Sequence, residues 1–511
     1  MQAIAEVSGP QFLPDSAGYH AARDQYATSS RPEAPHLFPG LIVQPHDEAD
    51  IQRVIAYANT HHKAIAIRSG GHQYSGASST SSDNIQINLR STFRHPEDLV
   101  FVEKGPFVRI SVSYNILEFN TFLRQNNVFV PHGQCSSLHL GGQVQTGGYG
   151  QLTRSFGLLG DHVVSLEIID FNGEKREITR ANDPELFFAW LGGSPGNLGV
   201  LTHVSIKVHR DADHTGSIGL LGVHIYDPAK LRTLLGHVTQ MSDDPYFPRN
   251  YDVCITVVSE RDDNVLSKMS VFDDDEIRKS HPQLFALPAT PPVIVVFAQY
   301  VCLGPDVAPD MEWFQRFRAG SVLSRQESRP VSELMSWWIF PEARAYPLPY
   351  VNRGYVSHSR TLAEGGKWAD WMVGRIHGVI KENNGLFAGA QVQPFGGKYS
   401  MLGCNAGNGT AYSWRDMTLC MSLNVFYKPE SRTAAEEWAQ TNDQQAFGPS
   451  GMVSPHDHRL LWASYGTIDL ASVWQTYYED GEKYERLKRA RGKADPNGIF
   501  TPNAFCVPRG V

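Results

Sequence analysis

The chain has 511 residues, 41% of them hydrophobic and 19% charged, enough for a large buried core and for two or three domains. Its 45 Lys and Arg stand against 53 Asp and Glu, a formal net charge of −8 with no basic stripe interleaved with aromatics, which excludes the electrostatic footprint of a nucleic-acid or anionic-membrane binder. No stretch approaches a membrane-spanning run, and the first ten residues carry neither the basic nor the apolar part of a secretion signal, so a cytoplasmic location is expected.

In chain order, residues 36–70 read as strand, helix, strand: Leu41-Ile42-Val43, then Ile51, Val54, Ile55 and Ala58 at helical spacing, then Ala64-Ile65-Ala66-Ile67. The last strand runs into Arg68-Ser69-Gly70-Gly71-His72 and Gln73, a glycine turn whose successive N–H groups, beside Arg68, suit a pyrophosphate. Further strands are expected at 85–89, 107–112 and 163–169, the last turning through Asn172-Gly173 into 175–178. Between them stands Pro131-His132-Gly133-Gln134-Cys135, followed by Gly141, Gly142, Gly147, Gly148, Tyr149 and Gly150. So many glycines around one cysteine argue for backbone laid against a flat ligand. A helical run at 185–190 leads to a second glycine-rich stretch, 192–202, which holds Gly199 and Val200.

From about residue 211 the texture shifts to longer strands at 219–225, 293–298, 388–393 and 421–426, separated by amphipathic stretches such as 313–317 and 368–372. An antiparallel sheet backed by helices is expected. Residues 273–292 and 403–409 read as linkers. The cysteines at 135, 254, 302, 404, 420 and 506 form no C-x-x-C pair and no cluster with histidine, so no metal site is expected. With Cys135 set aside, five remain, an odd number that fits buried thiols in a reducing compartment better than a disulfide framework.

Four motifs stand in a telling order: R-S-G-G-H, G-x-C, the run GG-Y-G-x-x-x-R-x-x-G-L-x-x-D from Gly147 to Asp161, and Tyr484-Glu485-Arg486-Leu487 to Asp495-Pro496. Together they resemble the vanillyl-alcohol-oxidase-type flavoproteins, in the branch of the berberine-bridge-enzyme-like oxidoreductases and the oligosaccharide oxidases. The resemblance implies an α+β fold of two domains, an FAD-binding domain at 1–210 and 470–511 and a substrate domain at 211–469. In that branch the histidine of the first motif is bonded to the flavin 8α-methyl carbon and the cysteine of the second to C6, which implies FAD held covalently by His72 and Cys135. The implied cofactor contacts are Arg68, Ser69, Gly70, Gly71, Gln73, Leu138, Gly141, Gly142, Gly147, Gly148, Tyr149, Gly150 and Asp161, with Gly199, Val200 and Asn503 from later segments.

Residues 461–470 resemble the family block in which a tyrosine faces the flavin from the substrate side, and that tyrosine is Tyr465, with Ser464 where many relatives have asparagine. As a general base, a phenol near pKa 10 needs a neighbouring cation or hydrogen-bond donors, whereas a merely packed tyrosine beside Trp462 needs neither. Alternation in Gln391-Val392-Gln393 puts both amides on one strand face, which meets either the substrate or solvent. Trp337, Trp338, Tyr346, Tyr350 and Tyr355 could stack on a planar or sugar substrate or pack in the core. His132 and His139 read as loop histidines rather than catalysts. Leu138, by resemblance, lies beside the flavin carbon where dioxygen reacts; relatives with a small residue there tend to be oxidases.

The implied activity is hydride transfer from an alcohol, hemiacetal or phenolic-type carbon to flavin N5, with dioxygen reduced to hydrogen peroxide. The partners are then dioxygen and a small molecule: a sugar, an alcohol or a secondary metabolite. The alternatives are a dehydrogenase with another acceptor, a nicotinamide-dependent reductase of the same fold, against which His72 and Cys135 argue, and a non-catalytic flavin-fold binding protein.

Overall fold

The computed structural model describes the chain except residues 103–104, 260–264, 269–271, 273–274, 286–290, 305–307, 340–347, 359–366, 383, 464–468 and 511. Tyr465 and Tyr346 lie outside the described residues. The first unit holds two sheets. In one, the strands Leu41–Val43, Ile85–Asn88 and Ile65–Arg68 run parallel, with Gln11–Phe12 antiparallel at the edge. The connecting helix Glu48–His61 is capped by Asp47, whose side chain accepts from the Asp50 N–H, and buries Ile51, Val54, Ile55 and Ala58, the stripe that its spacing predicts.

The second sheet is antiparallel, in the order Leu99–Phe101, Phe107–Ser111, Val200–Lys207, Val163–Ile169, Lys175–Thr179. The turn between its last two strands falls at Asn172-Gly173, where Gly173 has φ +84° and supplies the left-handed conformation that a tight hairpin demands.

The second unit is the expected antiparallel sheet, seven strands in the order Leu323–Ser328, Ile218–Ile225, Val293–Tyr300, Tyr251–Val258, Leu386–Pro394, Leu419–Tyr427, Tyr350–Ser357. One face packs Ile255, Val392 and Leu423 on helices Pro228–Asp243, Met311–Arg318, Lys367–Glu382 and Arg432–Ala446, through Leu235, Phe314, Met372 and Ala435. Trp337 and Trp338 are buried in a satellite core with Leu221, and Tyr355 belongs to the sheet–helix core, so three of the five aromatics read as a possible stacking patch serve packing instead.

Two buried guanidinium groups join the units. Arg154, fully buried, donates from Nε to Gly396 O (2.9 Å), from Nη1 to Pro248 O (3.0 Å) and Tyr251 O (2.6 Å), and from Nη2 to Phe247 O (3.1 Å), while its own N–H reaches Asp252 Oδ1 at 3.0 Å. Arg415 pairs with Asp161, which Asn405 and Asn408 also bond through their amides at 3.0 and 2.9 Å. Residues 403–409 are therefore no linker: they begin in the helix Met401–Cys404 and are fastened by Asp161, and Leu402, Tyr412 and Trp414 share the core of the first unit.

Arg154→Met keeps the side chain's bulk but leaves the carbonyls of Phe247, Pro248, Tyr251 and Gly396 without their donor, a loss of about 1–3 kcal/mol for each that stays buried. Its thermal unfolding midpoint should fall well below that of the wild type; an unchanged midpoint would show that the guanidinium does not join the units.

Candidate active site

The strand Ile65–Arg68 ends in the first glycine turn because nothing larger fits. A Cβ on Gly70 would lie 2.5 Å from His139 Nδ1, and Gly71 has φ +66° while its carbonyl accepts from Tyr26 N–H at 2.9 Å. The turn delivers His72 to the end of the aromatic ring of Tyr26, which stacks on the imidazole with centroids 4.2 Å apart and an interplanar angle of 19°. Tyr74 hydrogen-bonds Tyr26 and Asn352, and Gln73 Nε2 donates to Leu461 O at 2.9 Å, tying the turn to the segment that precedes position 465.

Cys135 sits on the second glycine stretch, opposite the first. Buried His132 stiffens that stretch, with Nδ1 2.7 Å from Gly133 O, and Cys135 O accepts from Leu138 N–H at 3.2 Å. The short helix Leu140–Thr146 follows; its Gly141 packs on Ser69 and Val112, where a Cβ would come within 3.0 Å, and Gly142 faces open space. All six cysteines are thiols outside any disulfide; Cys254, Cys420 and Cys506 are buried as expected, whereas Cys302 is half-buried and Cys404 exposed.

His72 and Cys135 line one cavity of about 360 Å³. Ser69, Gly70, Gly71, Gln73, Leu138, Gly141, Gly142, Gly148 and Tyr149 line it too. Its opposite wall is the polar face of the seven-stranded sheet. Thr256, Gln391 and Ser422 form one row across three paired strands, flanked by Gln393 and Asn424. Val392 points to the helix-side core, so alternation puts both glutamines toward the cavity rather than solvent.

Seven residues expected at the cofactor do not line the cavity, and each has a structural occupation. The Arg68 guanidinium is turned away onto the carbonyls of Ala22, Arg23 and Asp24, which take three of its donors at the end of the helix Tyr19–Arg23. Asp161 is spent on Arg415 and the asparagine amides. Asn503 Nδ2 donates to Ala77 O and Ser79 O, while its neighbours Pro502 and Phe505 reach the cavity. Gly147 and Gly150 are packing glycines, a Cβ meeting the Tyr149 ring at 2.4 Å and His132 O at 2.2 Å, respectively. Gly199, with φ +133°, and Val200 open a buried strand; Pro195 and Gly196 form the wall instead. Sequence reasoning missed Tyr26, Tyr74, Gln134, Thr256, Ser422 and Asn424. Only Gln134, inside the G-x-C stretch, carried a sequence signal.

Among the described residues lining the cavity there is no Asp, Glu, Lys or Arg. Desolvation pushes the Tyr26, Tyr74 and Tyr149 phenols up and His139, beside Cys135, down to about 4; His132, one turn away, is likewise held at about 4. The site fits FAD in its backbone. A Cβ on Gly142 or on Gly196, which has φ +77°, would project into space that no protein atom fills within 4 Å, and the amide Nε2 of Gln143 is buried without a partner. Among the described residues, no group of three or more His, Cys, Asp or Glu could hold a metal ion, and no helix is long and apolar enough to cross a membrane.

Comparison with known proteins agrees with this geometry. A family model described as an FAD binding domain matches residues 39–179. Berberine bridge enzyme-like 12 of Arabidopsis thaliana is 31% identical over 185 residues, covering 36% of this chain and 34% of that protein. FAD-linked oxidoreductase ptmO of Penicillium ochrochloron is 32% identical over 198 residues, covering 39% and 42%. The chain thus matches about a third to two fifths of the length of these relatives. Over the whole fold, a chitooligosaccharide oxidase superposes with TM-score 0.72 at 16% identity, covering 99% of each chain, and the carbohydrate oxidase from Microdochium nivale gives the same TM-score, identity and coverage.

The chain has the two-domain α+β fold of the vanillyl-alcohol-oxidase-type flavoproteins, and residues 39–179 carry an FAD binding domain, so FAD is the cofactor that the glycine-walled cavity fits. In sequence over its FAD-binding part, and in fold over its whole length, the chain is similar to berberine-bridge-enzyme-like oxidoreductases and oligosaccharide oxidases.

Gly142→Leu meets no protein atom yet fills the cavity, so the variant should fold with an undiminished unfolding midpoint and contain little FAD by absorbance. Normal FAD content would show that the flavin does not pass over Gly142. A second expectation concerns pH. Because His132 and His139 stay neutral down to about 4 in the folded chain against an ordinary value of 6.5, the unfolded chain binds more protons between those values, and stability falls as pH drops through that window. The unfolding midpoint of His139→Asn should therefore decline less steeply than that of the wild type from pH 6.5 to 4.5; parallel profiles would contradict the assignment.

Proposed function

We propose that this protein is an FAD-dependent oxidase of alcohol, hemiacetal or phenolic-type carbons, holding its flavin through both His72 and Cys135 and producing hydrogen peroxide. One observation carries the reading: two nucleophilic side chains, distant in sequence and each fixed by its own glycine turn, line a single cavity whose far wall is a polar sheet face. When bound, FAD supplies a two-electron acceptor for the hydrogen on the substrate carbon and a route for those electrons to dioxygen. The chain's own part is to orient and to exclude water. Tyr26 holds the His72 ring flat, the backbone around Gly142 and Gly196 leaves a slot for a planar group, and Gln391 and Gln393 offer amides to a substrate hydroxyl. Tyr465 is the proposed acceptor of the hydroxyl proton; Gln73 and the cavity-lining Trp462 fix the start of its segment. The similarity to sugar oxidases supports hydroxylated substrates.

Leu138 favours a second reading, a dehydrogenase with another electron acceptor. It lines the cavity with Cδ1 3.1 Å from where a Gly133 Cβ would stand, so a bulky side chain occupies the ground beside Cys135.

Acid precipitation tests the attachment. Wild type, His72→Ala and Cys135→Ala should all retain flavin in the pellet and the double variant should release it; a wild type that releases all its FAD defeats the covalent assignment. Anaerobic mixing with a panel of alcohols and sugars should bleach the flavin, and Tyr465→Phe should slow that step by roughly 10²–10⁴-fold. A Tyr465→Phe variant that bleaches at the wild-type rate removes Tyr465 from the mechanism. For the acceptor, reduced wild type should reoxidise quickly in air-saturated buffer and Leu138→Val should barely change the rate. A slow wild type greatly accelerated by valine would instead establish the dehydrogenase.

A further inference from the structure

His72 can attack only along the lone pair of a ring nitrogen, which lies in the plane of the imidazole. Rotation about χ2 swings that line, and for histidine this torsion has broad wells that leave the ring plane loosely set. Tyr26 supplies the missing restraint. Its ring lies 4.2 Å from the imidazole and within 19° of parallel, while Tyr74 meets the same imidazole edge-on at 6.3 Å and 76°. Tyr26 is itself held on several sides: its N–H donates to Gly71 O at 2.9 Å, in the turn that carries His72, its carbonyl accepts from Tyr350 Oη at 3.0 Å, its hydroxyl bonds that of Tyr74, and its ring meets the Tyr350 ring at 4.7 Å. Tyr350 and Asn352, the other partner of Tyr74, stand on the edge strand Tyr350–Ser357 of the seven-stranded sheet. Side chains from both units thus set the plane of His72, whereas Cys135 is carried by the opposite turn, which Leu138 and His132 fix.

Resting on the attachment of FAD proposed above, we propose that Tyr26 is a positioning residue for bond formation at His72: by stacking on the imidazole it aims a ring nitrogen at the flavin methyl carbon. In that step a methyl C–H bond and the imidazole N–H bond break and a C–N bond joins His72 to the flavin. Dioxygen takes up the two electrons and both protons as hydrogen peroxide, so atoms and electrons balance. A reactant held in a near-attack geometry reacts faster by tenfold or more, since a misplacement of about 1 Å can cost about 10²-fold. The stack acts through the ring, so the ring and not the hydroxyl of Tyr26 is what the step requires.

The full chain, prepared free of flavin and then given FAD in air, is followed by the growth of acid-stable flavin, with total bound FAD read before precipitation. A Cys135→Ala background reads attachment at His72 alone, and a His72→Ala background reads attachment at Cys135 alone. Tyr26→Leu should slow attachment about tenfold or more in the first background and leave it unchanged in the second. Tyr26→Phe, which keeps the ring, should attach in the first background at the rate of its parent. Tyr26→Gln repeats the ringless comparison with a polar side chain, so the test does not hang on one variant folding. Ringless variants that attach at the parental rate, equal slowing in both backgrounds, or Tyr26→Phe as slow as Tyr26→Leu would overturn the proposal. Equal slowing is the mark of a pocket that has merely loosened, and total bound FAD would fall with it. A Cys135→Ala protein that never gains acid-stable flavin is a failure of the attachment at His72 itself, while attachment indifferent to the ring at position 26 is a failure of this inference alone.

Discussion

The structure turns on where Arg154 spends its charge. A guanidinium in a fully buried position is costly unless its donors are met, and here they go to the carbonyls of residues 247, 248, 251 and 396, while Asp252 accepts from the Arg154 backbone N–H. Those carbonyls belong to the entry of the strand Tyr251–Val258 and to the turn after Leu386–Pro394. Fixing both against the glycine stretch sets the distance between the sheet and the cofactor slot. Because Gln391 and Gln393 lie on the second of those strands, the same bonds that join the units also aim the amide wall. Arginine suits the post where lysine would not, since its planar fork reaches several carbonyls at once.

The neutrality of the cavity follows from the same economy. Arg68, Arg154, Asp161 and Arg415 do not line it, and each is consumed by protein partners outside it. What remains facing the slot is glycine backbone, amides, hydroxyls and phenols. Backbone N–H groups can meet a phosphate without a formal charge, and they hold their positions because the neighbouring glycines leave no room to move: a Cβ at Gly70, Gly148 or Gly150 would clash at 2.5 Å or less.

Sequence made the elements legible where periodicity was strong: the helix stripe Ile51, Val54, Ile55, Ala58, the Asn172-Gly173 turn and the strands of the large sheet all stand where the pattern puts them. Arg68, Asp161 and Asn503 stand outside the cavity lining for one reason. A motif records that a residue is needed near a site, and a charged or amide side chain that fastens the loop leaves the same trace as one that touches the ligand. Residues 403–409 looked like a linker because Gly, Asn and Cys dominate their composition, while their role lies in amide bonds to Asp161, a partner more than two hundred residues away. Tyr26 gave no signal at all, since its stacking on His72 depends on a crossing of chains that no local pattern encodes. Gln134 was visible in the G-x-C stretch, but its meaning needed the register that brings Gln391 and Gln393 to it.

A wall that keeps phenols and imidazoles neutral also constrains the chemistry of proton removal. Tyr26, Tyr74 and Tyr149 are all held above the ordinary phenol range by burial, so a preformed phenolate in the same surroundings would be expensive. No lysine or arginine stands among the described lining residues to offset that expense, and no carboxylate stands there to act in its place. For the proposed hydride transfer, a base in this cavity works best by taking the hydroxyl proton as the bond to the departing hydrogen weakens, when the substrate oxygen is losing electron density and its proton is most acidic.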